Sequence, residues 1–184
     1  MVRPERYVPY ATLPSVSSPR LTETSYIVLG MLDLAEPASP YDLKQFAQLS
    51  TNYFWSVPHT QLYTECARLA DEGLLDGSQE QGGRRRRTYS LTASGREALD
   101  RWRETPSAAL YELRDIGTLK LFFGGDPALI AAEQLAAHEQ RLKVYEEMRA
   151  AIPGAPRGQL LALDCGIGHE REFIRFWSGL LAEG

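Results

Sequence analysis

Residues suited to metal or redox chemistry are scarce in this chain of 184 residues: it has two cysteines, Cys66 and Cys165, and three histidines, His59, His138 and His169. The cysteines lie far apart, in neither a redox nor a zinc spacing, and read as reduced, buried thiols of a cytoplasmic protein. His169-Glu170 lacks the second histidine that would set two imidazoles on one helical face around zinc. No metal and no cofactor is expected, and no catalytic constellation emerges. No apolar run approaches the ~20 residues of a membrane span, so a membrane is not an expected partner. The opening MVRPERYVPYATLPSVSSPR has no hydrophobic core and is not a secretory signal. Its prolines and serines describe an extended arm over residues 1–20. There is no internal repeat.

What is present is an ordinary soluble composition, 43% hydrophobic and 24% charged, with a net charge of −4. Such a chain can build one small domain with a helical appendage. Its acidic balance excludes a surface that is everywhere a nucleic-acid platform, so the local distribution of charge matters more than the total. Acidic residues are scattered, whereas Arg84, Arg85, Arg86 and Arg87 are consecutive.

Helix signals begin at Thr22, a capping residue followed by Glu23 and by Tyr26, Ile27, Leu29, Leu32 and Leu34. Glu36-Pro37 ends that segment. Ser39 caps a second helix with Pro40 at its first position, and Tyr53-Phe54-Trp55 form an aromatic turn. Ser56 reads as the cap of a third helix. Leu62, Cys66 and Leu69, at i, i+4 and i+7, form its core stripe, and Gly73 ends it. Leu74-Leu75 starts a strand, Gly82-Gly83 lies near a turn, and Thr88 to Leu91 returns. Thr92 then caps a fourth helix whose inner face is read as Ala93, Ala98, Leu99 and Trp102. A helix, a basic hairpin and another helix in that order describe a winged helix-turn-helix over residues 21–105.

The third helix would lie in the major groove. Thr60, Gln61, Thr64 and Arg68 face away from the core stripe, with His59 and Tyr63 on the flanks. Gln61 has the geometry to pair bidentately with adenine, and Thr60 or Thr64 to meet a base edge or a thymine methyl. His59 and Tyr63 suit phosphate or sugar, and Tyr41 and Lys44 on the preceding helix suit the backbone. The four arginines at the hairpin tip would reach phosphates and add affinity rather than sequence discrimination.

Residues 106–125 read as a connecting segment and 126–184 as two helices. Asp126-Pro127 starts the first, which carries Leu135, His138, Leu142, Tyr145, Met148 and Ile152. The second carries Leu160, Leu163, Ile167, Ile174, Trp177 and Leu181, near a heptad seam that Glu170 interrupts. On so small a domain these stripes call for a second copy, with Leu135, Leu142, Tyr145, Ile167, Ile174, Trp177 and Leu181 at a homodimer interface. Trp102 and Trp177 are candidates for an apolar effector pocket, and His138 for a hydrogen-bonded interface residue. The run LLALDCGIGHE resembles the glycine motif of a Rossmann-type methyltransferase. Too little chain follows it to build that domain, so Gly166 and Gly168 read instead as close-packing or kink positions in a helix.

The segments LTETSYIVLGMLDL, SPYDLKQF, FWSVPHTQLYTECARLADEGLL, RRTYSLTASGREALDRW and RDIGTLKLFFGG together resemble the PadR family of transcriptional regulators, in its long form with a two-helix C-terminal dimerisation domain. The resemblance covers about Leu21 to Gly125, and the last two helices match in pattern. It implies a mainly α fold with a small β wing. It further implies a homodimeric repressor that binds double-stranded operator DNA in the cytoplasm, released in some members by a small aromatic effector. The alternative from another class is a winged-helix module that binds protein without binding DNA. The arginine cluster favours DNA.

Overall fold

In the computed structural model, which describes residues 20–79 and 86–182, local side-chain chemistry marks the start of most helices. Thr22 and Ser25 cap α1 (Glu23–Ala35) reciprocally, and Ser39 and Asp42 do the same for α2 (Pro40–Gln48), with proline in its first turn. A single 3₁₀ turn, Thr51–Tyr53, carries the chain to α3 (His59–Asp71). Here the structure corrects the reading of Ser56 as a cap, because α3 starts after Pro58 and has no side-chain cap. Its other end is closed as expected. Gly73 takes a φ of +73°, and the Leu74 and Gly73 amides bond back to the Leu69 and Ala70 carbonyls.

Strands β1 (Leu75–Gln79) and β2 (Arg87–Leu91) pair antiparallel with Leu75 opposite Leu91 and Gln79 opposite Arg87. Ala38, between α1 and α2, adds a bridge to Tyr89 through two backbone bonds of 3.1 and 2.9 Å. The wing is thereby fastened to the helices beneath it. Thr92 caps α4 (Ala93–Glu104) and also donates to the Gly73 carbonyl, tying the end of α3 to the start of α4. Ala93 is exposed and Gly95 is the buried residue of that turn. A Cβ on Gly95 would stand 2.2 Å from the Leu74 carbonyl oxygen, so the close approach of α4 to the β1 entrance decides which face turns inward. The core of this unit, Met1–Ser107, joins Val28, Leu29 and Leu32 of α1 to Leu43 of α2, Leu62, Cys66 and Leu69 of α3, and Leu75, Tyr89, Leu91 and Leu99 beyond.

The second unit, Ala108–Gly184, contains a helix within the stretch read as a connector. This is α5 (Ile116–Phe122), capped by Asp115 and packed on α6. Asp126 caps α6 (Pro127–Ala151), and α7 (Arg157–Ala182) follows a short turn. From Arg149–Asp164 to His138–Glu170 the pairing steps back along α6 as it advances along α7, so the two helices form an antiparallel hairpin, and Glu146–Arg171 adds a third pair across it.

That hairpin changes the reading of the heptad seam. Tyr145, Ile167 and Trp177 are buried within one chain and are not surface for a second copy, because α6 and α7 close their stripes on each other. Leu135, Leu142 and Ile174 are half-buried and Leu181 is exposed. Glu170 does not interrupt the seam. It accepts a buried bond of 2.6 Å at the Nδ1 side of His138, whose ring stacks on Phe173 with centroids 4.6 Å apart. Helix α7 runs unbroken through Gly166 and Gly168, so the strand and glycine loop of a methyltransferase motif are absent there. The Tyr145 ring lies 3.0 Å from where a Gly166 Cβ would be, whereas nothing lies within 4 Å at Gly168. Cys165 is exposed, against the expectation of two buried thiols, since the adjacent Gly166 is the position that turns toward α6.

Candidate nucleic-acid interface

Helix α3 presents two chemically opposite faces. Leu62, Cys66 and Leu69 have no exposed surface. Burial pushes the Cys66 thiol up to about 12, with the neighbouring Glu65 adding to the shift, so this sulfur is a packing group and not a nucleophile. On the other side His59, Thr60, Gln61, Tyr63 and Thr64 are all exposed. One helix therefore carries five of the expected contact residues into solvent together. The Thr64 hydroxyl donates to the Thr60 carbonyl at 2.9 Å, so its oxygen is left as an acceptor on an exposed side chain. The first turn of α3 has no side-chain cap, so its amides remain the positive end of the helix dipole.

Arg68 departs from the open face on which sequence spacing placed it. Its guanidinium bonds Glu65 and Glu72 on its own helix and reaches across to the Ser25 hydroxyl of α1 at 3.0 Å. Ser25, fully buried, in turn donates to Glu65 at 2.5 Å. Burial alone would raise the Glu65 pKa, but the bonds from Arg68 and Ser25 outweigh it and hold the carboxyl below its ordinary value. The physical reason for the difference is the neighbour: periodicity shows which way a position points along one helix, not which polar group waits on the next. Arg68 sets the seating of α3 against α1.

On α2, Tyr41 is 52% exposed and Lys44 is half-buried, with the ammonium 5.9 Å from the tyrosine ring centre. The same helix holds the wing. Arg86 bonds the Asp42 carboxylate and donates to the Ser39 hydroxyl at 3.1 Å. Burial opposes ionisation of Asp42, but bonds from the Ser39 amide and hydroxyl and from Arg86 prevail and lower its pKa. Arg87 lies over the Tyr89 ring, 5.2 Å from its centre. Both arginines are exposed and also engaged within the protein. Arg84 and Arg85 lie outside the described residues. Asp42 and Ser39 were missed as wing partners, although their S-x-x-D spacing is a readable capping box.

The proposed effector residues part company. Trp102 is 48% exposed and stacks on Tyr26 with centroids 4.7 Å apart. Trp177 is fully buried against Phe176 and above Gly117, so it is a core residue that no ligand reaches in this arrangement. Among the described residues no group of His, Cys, Asp and Glu is placed to hold a metal ion, and no helix is long and apolar enough to cross a membrane.

Residues 28–101 match the model of the transcriptional regulator PadR-like family, and residues 113–183 match that of the virulence activator alpha C-terminal domain. The chain carries a PadR-like domain followed by a virulence-activator-type C-terminal domain. The negative transcriptional regulator PadR of Bacillus subtilis is 25% identical over 85% of this chain and 94% of its own length. A crystal structure of that protein with operator DNA superposes with a TM-score of 0.79 at 22% identity, covering 90% of this chain and 99% of that one. The same protein with p-coumaric acid gives 0.73 at 22% identity, over 86% and 96%. The Vibrio cholerae virulence activator AphA gives 0.66 at 26% identity, over 88% and 97%. These PadR-like structures share the mainly helical architecture with a small two-stranded wing.

Proposed function

We propose that this PadR-like transcriptional regulator is a homodimeric repressor that occupies promoter DNA. Each copy lays α3 in a major groove, so a pseudo-palindromic operator has half-sites about one helical turn apart. The observation that carries the reading is the division of α3. Its inner face is sealed in the core, and its outer face offers His59, Thr60, Gln61, Tyr63 and Thr64 to solvent at an uncapped positive helix end. Gln61 and Thr60 are the base readers, and His59, Tyr63, Tyr41 and Lys44 the backbone contacts. Arg84 to Arg87 supply phosphate affinity, and Arg68 acts indirectly through the seating of α3. The similarity to a negative regulator seen on operator DNA supports the assignment.

Dimerisation follows from apolar surface that one copy leaves open. Ile116, Leu119 and Phe122 of α5, Phe123 at its C-cap and Leu129 of α6 are each at least half exposed. This cluster, with Leu135, Leu142, Ile174 and Leu181 as the open members of the seam, is the interface with a second copy. A small aromatic effector would be reported by Trp102, whose ring is stacked on one side and open to solvent, and the relative bound to p-coumaric acid supports that class of ligand. Titrating tryptophan emission with p-coumaric acid tests it, and an unchanged signal with operator still bound removes the effector from the proposal.

The central test is selection of genomic fragments by the purified protein, followed by footprinting. A protected two-fold site upstream of a gene, with occupancy lowering transcription in vitro, is the expected result. No retention on heparin or on mixed-sequence DNA at low salt would favour a protein-binding module instead.

A further inference from the structure

The Arg86–Asp42 ion pair joins the wing to the first turn of α2. We propose that Asp42 is a built-in competitor for DNA. In the free protein it occupies Arg86, and a backbone phosphate must displace the carboxylate before this arginine contributes to binding. The inference rests on the DNA-binding reading above and deepens it by assigning a regulating role to one residue outside the recognition helix.

Three observations carry it. First, Arg86 belongs to the basic stem of the wing, yet its guanidinium is directed back onto the protein, to Asp42 and to the Ser39 hydroxyl. Second, both partners keep a large exposed surface, 45% for the arginine side chain and 43% for the aspartate. The pair is open to solvent and therefore exchangeable, unlike the shielded Glu65–Arg68 pair of α3, where the glutamate side chain is 13% exposed. Third, Asp42 does not need Arg86 in order to be held. Its carboxylate accepts from the Ser39 amide at 2.9 Å and from the Ser39 hydroxyl at 2.8 Å, so the capping box survives when the arginine leaves. A phosphate offers the guanidinium the same planar, two-oxygen recognition as a carboxylate and releases condensed counterions on binding. Exchange of one anion for the other is thus chemically matched, and the carboxylate sets how much is gained.

The test is a double-substitution cycle read by fluorescence anisotropy on a labelled mixed-sequence duplex across a salt series. Asp42→Asn retains an acceptor for the Ser39 amide while removing the competing charge. The expected result is binding about 2- to 5-fold tighter than for the unsubstituted chain, the scale of an exposed ion pair. The salt slope should stay unchanged, because Arg86 reaches phosphate in both proteins. Arg86→Ala should lower the slope by about 0.9, and in that background Asp42→Asn should produce no gain.

Weaker binding by Asp42→Asn would mean the pair is a strut that holds the wing, and would overturn the proposal. An equal gain with and without Arg86 would reduce the effect to general charge removal, and would overturn it as well. Asp42→Ser, with thermal melting of each variant, guards against a helix-capping defect. Failure of the unsubstituted protein to bind any duplex would instead overturn the DNA-binding reading beneath it.

Discussion

Gln61 stands in the first turn of α3 with its side chain exposed, as the proposed reading of a base edge requires. Gln61→Ala should weaken binding to the selected operator by about 1–3 kcal/mol while leaving affinity for mixed-sequence DNA nearly intact; competition gel shifts give both numbers. Equal losses on the two DNAs would demote Gln61 to a backbone contact. Glu65 has the opposite character, since its bonds are already made. Glu65→Gln should destabilise the fold by about 1–3 kcal/mol, because Arg68 and Ser25 lose a charged partner in a shielded place. The pH dependence follows from the sign of the shift. A carboxyl whose folded pKa is depressed contributes stability above its unfolded value, and that contribution fades as pH falls through the folded value. Denaturant melts from neutral pH downward should therefore show a smaller acid loss in Glu65→Gln than in the parent. At this scale the sequence was half legible. The Leu62–Cys66–Leu69 stripe was visible as spacing, but the bond from Arg68 to Ser25 joins two helices and has no local signature.

At the scale of elements, the helix starts at Thr22, Ser39, Thr92 and Asp126 were readable because the capping side chain precedes its helix directly. Helix α5 was not. Seven residues give too few turns for a periodic pattern to stand out, and with Ile116, Leu119 and Phe122 exposed beside Thr118 and Lys120 the apolar residues do not gather on one face. The bridge from Ala38 to Tyr89 was equally hidden, since it pairs a loop with a strand far along the chain. Glycines test how closely elements approach. Gly168→Ala should stabilise the hairpin by up to about 1 kcal/mol, the ordinary helix-propensity gain, because the position opens on empty space. Gly166→Ala should gain less or lose, its new methyl pressing on the Tyr145 ring. Gly95→Ala should cost at least about 2 kcal/mol, in the range of overpacking, since its neighbour is a backbone carbonyl that has nowhere to go. Thermal melts of the three variants should rank in that order.

For the whole molecule, the prediction concerns the open surface of α5. Replacing Leu119 and Phe123 together by glutamate should yield a folded monomer by light scattering and circular dichroism, since both side chains are exposed in the single chain, with the unfolding midpoint of the second unit losing only what association contributes. Operator affinity should fall toward that of one half-site. A dimer that survives this change would place the interface elsewhere. The hairpin that carries this surface takes its alignment from the buried His138–Glu170 bond. Two long helices lined with similar apolar side chains have little that distinguishes one vertical alignment from the next. A slip by one heptad would trade Leu135 for Leu142 and Ile167 for Ile174 at little penalty. The imidazole and carboxylate remove that degeneracy, because any other alignment leaves both buried and unpaired at about 1–3 kcal/mol each. A single polar pair thus acts as an index mark, and the apolar helices around it supply strength without having to supply alignment.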